Sequence, residues 1–347
     1  MQESISSNSI SNPSSTAGHS KAKEQKPDGQ VPRIGIIGTG TMGERHCRVC
    51  ANLPRVELIG VADLNRERGT KVADRYATAY FSDHHKLLSH IDAVIVAAST
   101  PVHYALAAEC LKCGLHVMVE KPITETIDQA HHLVQIAEER DLILQVGHIE
   151  RFNPAFIELK HVTEEMTLIG INMRRLSPFD TSNIDVDVIR DLMIHDLDLA
   201  VNLVGSELEG ITAWGRSINT GTTDHAVANL SFRDGPIATL FASRVTEQKV
   251  RAIEVIAEGA YVEADLLNKT VLVHRRTFPQ YLDNHQSTKY HQESFIERIH
   301  VPMSEPLMLE LRHFTDCVRH GCPADVPGHD GLRALEMAET VARSIAS

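Results

Sequence analysis

Three short stretches of this 347-residue chain hold side chains able to do chemistry together. The first is Asp191-Leu-Met-Ile-His195-Asp-Leu-Asp198. On a helix, spacings of four and three put Asp191, His195, Asp198 and, one turn on, Asn202 along one stripe. The rest of that segment is apolar (Ile189, Leu192, Met193, Ile194, Leu197), so the helix is expected to be buried, its polar groups paired with one another or with a ligand. A histidine titrates near neutral pH and a neighbouring carboxylate fixes its tautomer, which makes His195 a candidate general base. A satisfied core histidine is the plainer alternative. The second stretch is Glu120-Lys121-Pro122, at the end of the apolar run His116–Val119. A lysine at the carboxyl end of a buried strand sets a fixed charge beside a reacting hydroxyl and favours an alkoxide as hydride leaves. An ordinary surface lysine is the competing reading.

The third stretch is Gly38-Thr39-Gly40-Thr41-Met42-Gly43, a G-x-G-x-x-G that follows Ile34–Ile37 and opens a helix. Gly38 permits the tight turn, Gly40 lets backbone approach a pyrophosphate, and Gly43 allows close helix–strand packing. Phosphates would meet the helix N-terminus at Thr41 and Met42. Asp63 ends the next strand, near the offset at which a carboxylate receives ribose hydroxyls, and it would repel a 2′-phosphate, so NAD is expected rather than NADP. The alternative for Asp63 is to cap the following helix, and Arg66 either stacks on adenine or is a solvated charge.

Positioning these groups takes alternating elements. Strands are expected at Arg33–Ile37, Glu57–Ala62, Ala93–Ala97, His116–Val119 and Ile143–Gly147, with helices at Met42–Asn52, Asn65–Tyr76, Pro101–Cys113 and Ile127–Arg140. Strands apolar on both faces and separated by helices imply an α/β, doubly wound parallel sheet over residues 31–148. Residues 149–347 read as a C-terminal α+β domain with a large, mostly antiparallel sheet. Its helices are expected near Pro154–His161, Val186–Val204, Met308–His320 and Gly331–Ala346, its strands at Leu168–Arg175, Ile211–Ile218, Ala226–Phe232, Ile237–Val245, Ala252–Ala257 and Val271–Arg275. The Ser-rich residues 1–30 have too little apolar content to order and read as a disordered tail.

Composition narrows the partners. A net charge of −12 and 5% aromatics argue against nucleic acid and anionic membrane surfaces. No apolar run spans a bilayer and no signal peptide is expected, so a cytoplasmic protein is anticipated. Cys47/Cys50 and Cys110/Cys113 are C-x2-C pairs within helices, read as core thiols rather than zinc ligands. His84-His85 and His131-His132 sit on polar segments and read as solvated surface, so no metal site is expected. Alternating apolar residues on one face of the second sheet imply a homodimer or homotetramer formed through it.

In this order, Gly38–Gly43, Thr100-Pro101 with His103, Gly114–Pro122 and Asp191-x3-His195 resemble the Gfo/Idh/MocA oxidoreductase family over nearly all of residues 33–346. The resemblance implies a Rossmann domain followed by a substrate domain, with Lys121, Asp191 and His195 as the catalytic trio. It also implies a cis bond before Pro122, and cofactor contacts from Thr100, Pro101, His103 and Glu120. Many members carry glycines before and within the Asp-x3-His segment; the bulkier Val188–Met193 here argues against polyol substrates. Together with Gly147–Pro154, this segment is similar to the UDP-N-acetylglucosamine 3-dehydrogenase branch, which oxidises the sugar 3-hydroxyl ahead of amination for amide-linked lipid A. On that resemblance Glu150, Arg151 and Asn153 lie where a nucleotide sugar binds. Arg151 either pairs with a diphosphate or forms an ion pair with Glu150, and Asn153 bonds a hydroxyl or acetamido group. A free-sugar or inositol dehydrogenase and a non-catalytic dinucleotide sensor are the alternatives.

Overall fold

The computed structural model describes residues 31–180, 186–233, 235–276, 280–284, 287–291 and 294–346. The expected tail, 1–30, lies outside the described residues. Six parallel strands, β1 (Arg33–Ile37), β2 (Glu57–Ala62), β3 (Ala79–Phe81), β4 (Ala93–Val96), β5 (His116–Glu120) and β6 (Leu144–Gly147), pair in the order β3-β2-β1-β4-β5-β6. The order reverses between β1 and β4, and there the carboxyl ends of the strands open a crevice. Ile34 and Ile36 of β1 pack with α1 (Thr41–Cys50), α2 (Arg66–Arg75) and a later helix, α8 (Pro306–His320). On the opposite face Ile37, Val94 and Val96 meet α4 (Thr100–Lys112) and α5 (Ile127–Glu139). Both faces are covered, so these strands show apolar runs rather than alternation. The one-turn helix α3 (His85–Leu88) and the three-residue β3 were not expected; each is too short to carry a periodic signal.

A short 3₁₀ turn (Ile149–Phe152) and α6 (Pro154–Thr163) lead into the second sheet. Its strands are β7 (Leu168–Leu176), β8 (Leu208–Arg216), β9 (His225–Phe232), β10 (Ile237–Ser243), β11 (Val250–Ala257), β12 (Ala260–Asp265), β13 (Thr270–Arg276) and β16 (Ser294–Ile299); β14 (Gln280–Asn284) and β15 (Ser287–His291) form a separate hairpin. The order β16-β13-β12-β11-β7-β10-β9-β8 is antiparallel except where β10 runs parallel to β7. β12 and β14–β16 were not expected, because their sequences mix charged and apolar residues without clean alternation. The helix anticipated from Val186 starts as a single π-helical turn at Ile189–Met193 and continues as α7 (Ile194–Val204). With α6 and α9 (Gly328–Ala346), α7 covers one face of the sheet; the other carries exposed Trp214, Ile237 and Ile256.

The end of the chain returns to the first sheet. Val146 N–H donates to Val326 O (3.0 Å), Gln145 bridges to Pro327, and α9 begins against the outer edge of β6. Gly331 is required there, since a Cβ would come within 2.5 Å of Val146 Cγ2. No helix among the described residues is long and apolar enough to cross a membrane.

Candidate active site

The β1–α1 turn is shaped by its glycines. Gly38 has φ +93°, and a Cβ at Gly43 would lie 1.9 Å from the Gly38 carbonyl oxygen, so α1 can start this close to β1 only with glycine. Gly40, at the N-cap, has no side chain to satisfy the first-turn N–H groups, and open space surrounds its Cα. Free donors at a helix N-terminus facing open space suit a pyrophosphate. The adjoining cleft, about 640 Å³, is lined by Gly38, Gly40, Thr41, Met42, Asp63 and Arg68, among others. The free N-terminal donors and the open cleft fit a dinucleotide such as NAD.

Asp63 is held rather than free. Thr39 donates to it from N (2.7 Å) and Oγ1 (2.6 Å), Asn65 donates from N (2.7 Å), and Arg68 adds a two-pronged contact. Burial pushes its carboxyl up, but these donors outweigh it and leave the group below the usual range. The cap of α2 is Asn65, so Asp63 does not serve that purpose. Arg66 is an exposed first-turn residue of α2 outside the cleft lining; Arg68, one half-turn on, is the cation at the carboxylate.

Around the expected cofactor contacts, Ser99 and Val102 line the cleft while Thr100 and Pro101 form the first turn of α4. His103 is buried, with Nδ1 2.9 Å from Pro122 O and Nε2 3.0 Å from Ala98 O, so it ties the two loops together from behind. Glu120 also faces inward: His46 Nε2 lies 2.7 Å from its Oε1, and Lys121 N–H donates to Oε2 (3.3 Å). Its expected role as a cofactor ligand therefore becomes one of positioning, since the carboxylate is buried beneath the turn.

The Lys121–Pro122 peptide is cis. Lys121 Nζ donates to the main-chain oxygen of Asp191 (2.7 Å) and lies 3.4 Å from Asp191 Oδ1. This contact joins the carboxyl end of β5 to the π-helical turn before α7. One turn on, His195 stands edge-on to His148, ring centroids 6.3 Å apart. Its Nδ1 is sealed from solvent and has no hydrogen-bond partner among the described residues. Burial, then the charges of Lys121 and Arg175 and the neighbouring His148, hold the His195 imidazole well below the usual range. The same forces, burial first and Arg151 and Lys121 against the pull of Asp198, lower His148.

The remaining stripe residues separate. Asp198 is buried against Arg151, whereas Asn202 reaches the surface and accepts from Lys160 (3.0 Å). Glu150 and Arg151 do not pair with each other. Glu150 accepts from Arg175 Nη1 (2.7 Å), and Arg151 uses Nε and Nη2 on Asp198 (both 2.7 Å) and Nη2 on Asp330 (3.0 Å). Asn153 caps α6 through Oδ1, while its Nδ2 donates to Glu150 (3.0 Å) and Leu266 O (3.1 Å). Both amide hydrogens are engaged, which corrects the expectation that Asn153 meets substrate.

Thr39, Arg68, His148, Arg175, Asp196 and Arg251 were not singled out in the sequence. Arg175 donates to Asp196 through Nε (2.8 Å) and Nη2 (2.7 Å), placing a cation beneath His195. Arg251 is buried nearby; burial, then Arg175, pushes its guanidinium down to about 10. Thr39, His148 and Asp196, lying inside recognisable motifs, left a signal; Arg68, Arg175 and Arg251 did not. Of the C-x2-C cysteines, Cys47, Cys50 and Cys110 are buried free thiols, but Cys113 is exposed where α4 ends.

Residues 32–148 match the family model "Oxidoreductase family, NAD-binding Rossmann fold", and residues 174–263 match "GFO/IDH/MocA C-terminal domain". The UDP-N-acetylglucosamine 3-dehydrogenase of Acidithiobacillus ferrooxidans is 36% identical over 244 residues, 70% of this chain and 77% of the relative. A solved structure of that enzyme superposes with a TM-score of 0.83 at 31% identity, covering 90% of this chain and 97% of the other. The myo-inositol 2-dehydrogenase of Thermotoga maritima is 27% identical over 332 residues, 90% of this chain and 96% of the relative. With this matched sequence, the nucleotide cleft and the two-sheet architecture, the chain belongs to the Gfo/Idh/MocA family of NAD-binding oxidoreductases.

Proposed function

We propose that the protein oxidises the 3-hydroxyl of UDP-N-acetylglucosamine to the ketone, with NAD as oxidant. NAD, when bound, supplies a nicotinamide that accepts a hydride from the carbinol carbon. His195 takes the hydroxyl proton, for which its neutral imidazole is suited. Lys121 stabilises the negative charge growing on the oxygen, and Asp191 holds the ammonium group in place through two contacts. The alcohol thus loses a hydride and a proton and becomes a ketone, while the cofactor is reduced and His195 is protonated.

The observation that carries this reading is the meeting of Lys121 with Asp191, one helical turn from His195, at the carboxyl end of β5. Burial, with Lys121, Arg175 and Arg251 acting on it as cations, keeps His195 neutral, the state in which it can take a proton. The 36% identical relative supports the choice of substrate. In this reading the 3-keto sugar is consumed by an aminating enzyme, on the way to amide-linked lipid A. Six free cysteines fit a reducing cytoplasm, and the open sheet face fits a homodimer or homotetramer.

The test is NADH formation by the purified protein with UDP-N-acetylglucosamine, set beside myo-inositol, scyllo-inositol and free N-acetylglucosamine. Absorbance should rise with the UDP-sugar alone, and mass spectrometry of the trapped product should place the carbonyl at C3. A rise with an inositol and none with the UDP-sugar would replace this reading with the polyol one.

A further inference from the structure

The segment joining β3 to α3 lies at the wall of the nucleotide cleft, to which His84 contributes. Here the fold brings two adjacent histidines a carboxylate from a distant element. Glu109, from the middle of α4, reaches both: His84 Nε2 lies 3.0 Å from Glu109 Oε2, and His85 Nε2 lies 2.7 Å from Glu109 Oε1. On its other side His85 Nδ1 is 2.6 Å from Asp83 Oδ1. One donor atom from each of Asp83, His84 and His85 lies within 4.8 Å of the others, and the two rings sit 4.2 Å apart.

The chemistry of His85 makes this more than a set of surface contacts. Asp83 and Glu109 only accept, so the imidazole between them carries either a hydrogen on each nitrogen or one hydrogen towards Asp83 and a metal ion between Nε2 and Glu109. A carboxylate on one imidazole nitrogen with the other nitrogen directed at a metal is the arrangement that orients metal-bound histidines. In a tetrahedral zinc site, with bonds of about 2.0–2.1 Å, donor atoms stand about 3.3 Å apart. The two Glu109 contacts, 3.0 Å to His84 and 2.7 Å to His85, reach that spacing if Glu109 withdraws by well under 1 Å, which a partly exposed side chain can do.

We propose that His84, His85 and Glu109 bind a divalent transition-metal ion of the zinc class, with Asp83 orienting His85 and water completing the coordination. Two imidazoles and a carboxylate favour such ions over magnesium or calcium, which take oxygen ligands. The ion would link the β3–α3 segment to α4, two walls of the nucleotide cleft, and would raise the thermal midpoint because only the folded chain assembles its ligands.

Zn2+ and Co2+ can be titrated into untagged, chelator-treated full-length protein. One ion per chain should bind, with visible ligand-field bands for Co2+ and a rise in thermal midpoint for Zn2+. Glu109→Gln and His85→Gln should each remove the site, Asp83→Asn should weaken it about ten- to a hundredfold, and His131→Gln should leave it intact. Failure of the wild type to take up either ion would overturn the proposal. So would uptake unaltered in both His85→Gln and Glu109→Gln, because the ion would then sit on other histidines or on exposed Cys113 or Cys322.

Discussion

The general base of the proposed reaction must be unprotonated before it starts, and His195 is surrounded by reasons to be so. Burial is the largest, followed by the positive charges of Lys121 and Arg175. The acid limb of kcat/KM should therefore fall below the ordinary histidine value of about 6.5. Lys121→Ala removes one of those charges, so the limb should move up in pH while kcat drops by about 10²- to 10³-fold, the usual cost of losing an oxyanion donor. His195→Ala should lower kcat by about 10²- to 10⁴-fold with little change in NADH affinity measured by fluorescence. A pH profile unmoved in the lysine variant would separate Lys121 from the base. At this scale the sequence was readable where a pattern lies within a few consecutive residues, as in Gly38–Gly43 or Asp191-x3-His195. Arg68, Arg175 and Glu109 gave no warning, since each gains its meaning from a partner on another element.

Elements buried on both faces left the clearest trace: β4 is all Ala, Val and Ile, and the buried stretches of β1 and β5 are mostly Ile, Val and Met. The polar later strands and the π-helical turn did not, because neither has a period that distinguishes it. α8 hides a further surprise. Glu310 is fully buried against the first sheet, and neither carboxyl oxygen has a hydrogen-bond partner among the described residues. Burial, with the Glu120 carboxylate adding to it, raises its pKa well above the usual range. A carboxyl group raised in the folded state stabilises the fold below its unfolded value of about 4.3, and that contribution is lost as pH rises toward the folded value. Glu310→Gln should therefore raise the thermal midpoint at pH 8, by about 2–4 °C per kcal/mol gained, and the gain should shrink near pH 4. Equal midpoints at pH 8 would mean that Glu310 is not held neutral. In α1, Gly43→Ala should cut NADH affinity at least about tenfold, since the new Cβ must displace the Gly38 carbonyl that shapes the turn.

For the molecule as a whole, one face of the second sheet leaves large apolar side chains uncovered among the described residues. Trp214 and Ile237 are 63% and 62% exposed there, and Trp214 pairs across the strands with Val227, which in turn faces Phe241. Ile237→Glu should lower the mass found by sedimentation velocity and shift the emission of Trp214, the chain's one tryptophan, toward that of an indole in water. A wild type that already sediments as a monomer would rule out assembly through this face. The closing of the first sheet by the end of the chain has a different consequence, one for biosynthesis. Among the described residues the outer edge of β6 is sealed by Val326, Pro327 and the start of α9, so a polypeptide emerging from the ribosome exposes that edge until the segment around Val326 has been made. During that interval the growing chain offers unpaired backbone to its neighbours, and a premature stop before α9 would leave it in that sticky state permanently.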